Sequence, residues 1–158
     1  MMNIEDFKDN EPQLSLEEFF TGDTWAWGIF EDRFGNLKRS FQVTIDGRME
    51  NGQLMLDEHF IYNDGAKDRR IWYITPQGNG KYQGTAADIA GTATGKVMGN
   101  ALNWQYDMNL PVGGKNWRVH FNDWMYLQPG NVLINKAIIT KWGIQLGTVT
   151  LFFSKCFQ

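Results

Sequence analysis

Turn signals recur along this sequence so often that little room is left for helices. Gly35-Asn36, Asp46-Gly47, Asn51-Gly52, Asp64-Gly65, Gly78-Asn79-Gly80, Gly113-Gly114, Pro129-Gly130-Asn131 and Trp142-Gly143 pair residues that tolerate tight or left-handed backbone. Between them the apolar residues alternate. Phe41, Val43 and Ile45 share a face opposite Gln42, Thr44 and Asp46. Leu102, Trp104, Tyr106, Met108 and Leu110 do the same, as do Trp117, Val119 and Phe121. Alternation of this kind marks strands with one buried face.

The pattern predicts nine or ten strands, at 24–32, 38–48, 53–62, 67–75, 80–89, 91–98, 100–110, 115–127, 131–141 and 144–155. No connection is long enough for a crossover helix, so neighbours in sequence should pair antiparallel. A sheet of that many strands twists until it closes or splits. The short hairpins, with no long crossovers, favour closure: an all-β, antiparallel up-and-down β-barrel of about 8–10 strands.

Ahead of the strands, Ser15-Leu16-Glu17-Glu18 has the form of a capping box and predicts a short N-terminal helix that Gly22 stops after about two turns. Residues 1–14 are polar, acidic and without period, and read as an extended or poorly ordered arm. The predicted organisation is therefore an arm, 1–14, and one barrel domain, 15–158. At 158 residues the chain can bury a sizeable core without staples.

Composition removes several function classes. The formal charge is −3 and the 15 basic residues are scattered, which argues against a nucleic-acid partner. Cys156 is the single cysteine, so disulfides within the chain and Cys-rich metal sites are excluded. His59 and His120 both fall on polar strand faces and lack the spacing of zinc ligands, so no metal is expected. Gly91-x-x-x-Gly95-Lys96 is one residue short of a phosphate loop, and Val97 stands where the hydroxyl should be. No nucleophile elbow is present, and Cys156 has no evident base. A non-enzymatic role without a cofactor is therefore expected; an enzyme would need Glu58, His120 and Asp123 to meet in a cleft. No apolar run approaches the ~18 residues of a membrane span.

Aromatic residues make up 15% of the chain, and such rings need a wide core or a cavity. Glu58 alternates in phase with Leu54, Leu56, Phe60 and Tyr62, and Lys136 with Val132, Ile134 and Ile138, which predicts an inward charge on each strand. A buried carboxylate requires a partner, and Arg69, Arg70, Lys136 and Lys141 are the available cations. Asp123 interrupts an aromatic strand, either at a bulge or as an acceptor lining a cavity. Gly91, Ala93, Gly95 and Gly99 leave one strand face nearly bare, suited to Trp104 or Trp117 lying against it or to a ligand.

Two resemblances add to this reading. The helix followed by Gly22-x-x-Trp25 resembles the opening of lipocalin-like (calycin) proteins, although their spacing is Gly-x-Trp. That resemblance implies that the helix closes one barrel end, with Trp25 as a plug under a basic residue such as Lys155 or Lys141. Over nearly the whole chain, Phe19-Phe20-x-Gly22, Trp25-x-Trp27-Gly28, Asp32-Arg33-Phe34-Gly35, Leu56-x-Glu58-x-Phe60, Arg70-x-Trp72, Gly91-x-Ala93-x-Gly95, Asp123-Trp124-Met125 and Asn135-Lys136-Ala137 are similar to a bacterial family of uncharacterised function. Many of its members resemble lipoproteins. The resemblance implies either a trimmed leader replaced at the Met1-Met2 doublet, with a lipid anchor in the precursor and a place in the cell envelope, or a cytoplasmic member. It carries no catalytic residues.

The expected function is binding of a small apolar or amphipathic, lipid-like molecule inside the barrel. The expected lining is Glu58, Phe60, Trp104, Tyr106, Met108, Trp117, Phe121 and Lys136, joined by Trp27 and Leu56, with Glu58 and Lys136 as polar anchors. The competing expectation is a structural or interaction protein of the bacterial envelope whose barrel is filled by its own rings. Oligomeric state is left open by the sequence.

Overall fold

The computed structural model describes residues 1–157; the last residue of the expected domain, Gln158, lies outside them. Ten antiparallel strands follow in order: β1 (Gly22–Asp32), β2 (Leu37–Glu50), β3 (Gln53–Tyr62), β4 (Lys67–Gly78), β5 (Lys81–Thr85), β6 (Ile89–Met98), β7 (Ala101–Val112), β8 (Lys115–Gln128), β9 (Val132–Lys141) and β10 (Ile144–Ser154). Each strand pairs with its neighbours in sequence, and β1 pairs with both β2 and β10, so the sheet closes into a barrel. Register shifts at Phe30/Glu31, Pro76/Gly78, Ala90/Thr94 and Gln145/Gly147 supply local bends that help the sheet curl.

Two of the expected turns lie elsewhere. Asp46-Gly47 runs straight through β2, and the turn falls at Asn51-Gly52. Gly47 is there for another reason: a Cβ at this position would collide with the backbone carbonyl of Phe20, which crosses directly over it. The β5–β6 connection falls at 86–88, with the Ile89 N–H donating to the Ala86 carbonyl at 3.2 Å, while Gly91 sits within the irregular stretch of β6. No glycine or proline marks that connection, so the sequence pattern carried the strand through it.

Helix α1 (Leu16–Phe20) has five residues, with Ser15 as its N-cap, whose Oγ accepts from the Glu18 N–H at 3.3 Å. Its Leu16, Phe19 and Phe20 are buried across one end of the barrel, Phe20 edge-on to Phe153 at 5.6 Å between centroids. Burial of such rings is worth about 1.5–3 kcal/mol each. The arm is ordered, contrary to expectation. It forms a 3₁₀ turn, Ile4–Phe7, whose Phe7 ring lies 5.8 Å from both Trp124 and Tyr126 on the outer face of β8. Lys96 Nζ donates to Glu5 at 2.7 Å, and the Leu14 N–H donates to the Gly99 carbonyl at 2.8 Å. These contacts join residues distant in sequence, which a reading of local period does not register.

Trp25 is not the plug. On β1 the inward positions are Thr24, Ala26 and Gly28, so Trp25 and Trp27 stand on the outer face, packed with Phe157 and, for Trp27, Phe152. Closure falls instead to Leu16 and Phe20. Lys155 does serve the closed end, donating to the Thr24 hydroxyl at 2.8 Å and the Thr21 carbonyl at 3.2 Å, and lying 5.5 Å from the Phe19 ring centroid.

Candidate functional site

The barrel is hollow. A cavity of about 340 Å³ runs from beneath α1 toward the opposite end, walled by inward residues of most strands. Its wall is mostly apolar, in keeping with small-molecule sites of this size. Trp104 forms part of it by lying on backbone: a Cβ at Gly95 would come within 2.5 Å of its ring, and one at Gly84 within 2.8 Å. Of the bare strand face expected from the sequence, Gly95 lies under Trp104, Gly99 lies under the Phe7 carbonyl, and nothing lies within 4 Å of a Cβ at Gly91. Trp72 meets both Trp104 and Tyr106 edge-on, at 5.6 and 5.3 Å, and Tyr106 stacks on Phe121 at 5.0 Å.

Polar groups interrupt this wall, Glu58, Arg70, Tyr106 and Asp123 among them. Glu58 points inward from β3 as its alternation predicts, its side chain 13% exposed. Arg70, opposite it on β4, approaches to 3.8 Å through Nη1. The guanidinium is already held elsewhere: Nε donates to both Asp88 oxygens at 3.0 and 3.1 Å, and Nη2 donates to Asp88 at 2.8 Å. Asp88 thus takes the bidentate geometry, and its pKa is lowered overall, burial opposing and Arg70 prevailing. For Glu58 the order is reversed. Burial pushes its pKa up to about 7, with Arg70 only partly offsetting this and Asp88 adding to it.

Asp123 is the second buried acid, 4% exposed, facing the cavity from β8 with no break in the β7–β8 register at its partner Trp104. Of the two readings of this residue, the bulge is thereby removed. Burial raises its pKa to about 7, against the nearby Tyr106 hydroxyl and Arg70, which lower it. Its Oδ1 has no hydrogen-bond partner among the described residues. An orphaned buried acceptor costs about 1–3 kcal/mol, which a bound donor would recover. Burial, and secondarily Asp123, raise the Tyr106 hydroxyl well above the ordinary tyrosine range, so it stays a donor at every physiological pH.

Of the expected lining residues, Glu58, Phe60, Trp104, Tyr106, Met108 and Phe121 face the cavity. Lys136 does not. On β9 the inward residues are Leu133, Asn135, Ala137 and Ile139, and Lys136 is exposed on the outer face. Both parities of that strand are apolar, because Ile134 pairs across β10 with Phe152 on an apolar outer patch, so alternation alone gave the wrong face. Trp117 is in the inward phase but 39% exposed, because the β7–β8 hairpin carries it past the cavity rim to lie 5.2 Å from Lys141 Nζ. Trp27 is outside, as noted.

Trp72, Arg39 and Asn135 also line the cavity and were not singled out from the sequence. The pattern Arg70-x-Trp72-x-Ile74, alternating like its neighbours, was the available signal for Trp72. Asp88 had none, since a loop acid reveals its partner only in three dimensions. His120 lies on the outer face, with Nδ1 2.8 Å from Asp107 and Nε2 3.1 Å from Gln105. It never meets Glu58 or Asp123, so the acid–base trio is not assembled. Among the described residues no cluster of His, Cys, Asp and Glu is arranged to hold a metal ion, and no helix is long and apolar enough to cross a membrane.

Comparison with known proteins places this geometry in a family. Residues 1–155 match the family model described as "Protein of unknown function (DUF3833)", and the chain belongs to that family. No curated protein gives a significant match. Among solved structures, the S-type phycobiliprotein lyase CPES from Guillardia theta is similar, with a TM-score of 0.63 and 11% identity over 92% of this chain and 94% of that one. At that identity the likeness is one of fold, a lipocalin-like barrel.

Proposed function

We propose that this member of the DUF3833 family holds a small amphipathic, lipid-like molecule within the barrel. The observation that carries the proposal is the apolar cavity of about 340 Å³ with a buried carboxyl whose Oδ1 lacks a partner. Phe60, Trp72, Trp104, Met108 and Phe121 offer dispersion contacts to an apolar body, and Asp123 with Tyr106 offers an acceptor and a donor to one polar end. A hydroxyl or amine on that end would satisfy Asp123. A barrel filled by its own side chains is disfavoured by the same cavity.

Native mass spectrometry of the protein purified from its own host tests the reading, and the mass of a retained molecule gives its class. A fluorescent long-chain amine or alcohol supplies the second measurement: Kd in the micromolar range is expected, weakened at least tenfold in Asp123→Leu. An empty protein that fails to bind the probe would overturn the proposal.

A catalytic variant of this reading has one supporting observation. Burial pushes both Glu58 and Asp123 up to about 7 in one cavity, a perturbation that clusters at functional sites, and the similar barrel is named as a lyase. Turnover would appear as a change in mass of the released ligand on incubation, lost in Glu58→Gln. The envelope location that the lipoprotein resemblance implies is compatible with either variant and is tested by fractionating cells that make the protein from its native gene.

A further inference from the structure

The end of the barrel opposite α1 is formed by five hairpins, and they are of two kinds. Three are consecutive around the barrel, β1–β2, β9–β10 and β7–β8, because β1 pairs with β10 and β9 with β8. Each lifts two large apolar side chains into solvent: Phe34 and Leu37, Trp142 and Ile144, Val112 and Trp117. Trp142 is 86% exposed and Phe34 75%. The other two hairpins, with tips Asn63-Asp64-Gly65-Ala66 and Ala86-Ala87-Asp88, expose a single large apolar side chain beside those tips, Ile61 on β3.

Charge follows the same division. The apolar arc carries Arg33, Lys38, Lys115, Arg118 and Lys141. Its acid at the β1–β2 tip, Asp32, is occupied by its own turn, accepting from the Phe34 and Asn36 N–H groups at 2.9 and 3.0 Å, with Lys38 at 3.6 Å. The other two hairpins are balanced, with Lys67, Arg69 and Arg70 against Asp64, Asp68 and Asp88. In the arc, cations lie against the exposed rings: Lys141 Nζ is 4.4 Å from the Trp142 ring centroid and Arg33 is 4.8 Å from that of Phe34. The protein as a whole is acidic, at −3, and the closed end is fringed by Glu5, Asp6, Asp9, Glu17, Glu18 and Asp23. Basic charge is thus gathered at one side of the mouth against the overall sign.

We propose that this arc is a docking surface for an anionic lipid bilayer. Exposed Trp and Phe beside Lys and Arg match the interfacial zone of a membrane, where rings enter the headgroup layer and cations meet lipid phosphates. A protein partner would also cover apolar surface, but the charge complementarity and the continuity of the arc with the cavity mouth, lined by Phe30, Arg39 and Leu110, favour the bilayer. Seated there, the cavity opens toward the acyl region. Docking does not depend on what the cavity holds.

Sedimentation with vesicles tests this directly. Binding is expected to vesicles of phosphatidylglycerol and phosphatidylcholine, to be weak with pure phosphatidylcholine, and to fall as salt rises. Phe34→Ser with Trp142→Ser, and separately Lys115→Glu with Lys141→Glu, should each weaken it at least tenfold; Phe34, Lys115 and Trp142 are exposed and Lys141 is half-buried at the rim, and an unchanged urea midpoint checks that each variant folds. Brominated lipid chains should quench wild-type emission more strongly than that of Trp142→Ser. Asp123→Leu should bind vesicles normally, which separates failure here from failure of the cavity reading. Three results would overturn the proposal: no vesicle binding, binding unchanged by the rim variants, or binding lost only in Phe152→Ser on the outer patch of β10. A concentration-dependent dimer dissolved by Trp142→Ser, without vesicle binding, would assign the arc to a second copy instead.

Discussion

Phe20 and Phe34 are fourteen residues apart on the chain and sit at opposite ends of one barrel, and the surroundings of the two rings have nothing in common. Phe20 is buried, edge-on to Phe19 and Phe153, with its own carbonyl pressed over Gly47. Around it the polar groups are paired: Tyr82 donates its hydroxyl proton to Glu17 at 2.6 Å, and Lys155 donates to Thr24 and Thr21. Phe34 stands in solvent on a hairpin tip with a guanidinium against it. One end is finished by packing, and the other keeps its large side chains unspent. Stability therefore concentrates at the helix end, while the ability to meet something else concentrates at the mouth.

The sharpest way to break that contrast is to truncate both rings. Phe20→Ala should destabilise the barrel by about 3–5 kcal/mol through lost burial and the cavity left behind. Phe34→Ala should stay within about 0.5 kcal/mol, as exposed substitutions do. Urea unfolding followed by tryptophan emission measures both. Equal effects would mean that the hairpin tip is packed. Gly47→Ala is next in size, at roughly 2–3 kcal/mol, because the added methyl meets backbone that cannot rotate away. Gly143→Ala meets nothing nearby and carries only the strain of its positive φ of 75°, about 1 kcal/mol.

How much of this was legible beforehand depends on whether a residue's partner is near it in sequence. Ten strands, their antiparallel order and the inward placement of Glu58, Trp104 and Tyr106 follow from period-two alternation between turn residues, which is local information. Lys136 was misplaced because its strand carries apolar residues on both faces, so alternation had no preferred phase there, and Trp25 because the plug was carried over from a resemblance whose Gly-x-Trp spacing this chain does not keep. The orphaned oxygen of Asp123 and the hold of Asp88 on Arg70 are properties of the closed barrel. No spacing along the chain encodes them.

Between the two ends lie the two acids, and pH separates their contribution from that of the packing. Glu58 and Asp123 titrate near 7 in the folded barrel and near 4 when unfolded. Between those values the folded state holds protons that the unfolded chain has released, so stability falls as pH rises from about 4.5 to 7.5. Asp57 and Asp88, whose pKa values are lowered by Arg69 and Arg70 over the opposing effect of burial, act in the other direction, and their contribution is lost only as pH drops below about 4. The melting temperature at pH 7.5 should lie below that at pH 5 by on the order of 10 °C, at about 1.4 kcal/mol per pH unit for each acid and about 2–4 °C per kcal/mol for a chain of this size. Asp123→Asn should flatten that slope, and Phe34→Ala should leave it unchanged. A profile that rises with pH through this window would mean that both acids are ionised and partnered.

The smallest effect tests the comparison with charge alone. Lys155 and Lys141 each lie against aromatic rings near one end of the barrel, and each donates to a backbone carbonyl, Thr21 at 3.2 Å and Arg118 at 3.1 Å. Only Lys155 also donates to a buried side chain, the Thr24 hydroxyl, and burial lowers its pKa despite Asp23 nearby. Lys155→Met should therefore cost about 1–2 kcal/mol, since it leaves Thr24 unpaired in a dry wall. Lys141→Met should cost about 0.5 kcal/mol or less, because solvent can replace what the ammonium gives to Arg118 and to the exposed rings. If both changes cost the same in urea, the Lys155 contact with Thr24 contributes nothing beyond a surface hydrogen bond, and closure of that end rests on Leu16 and Phe20 alone.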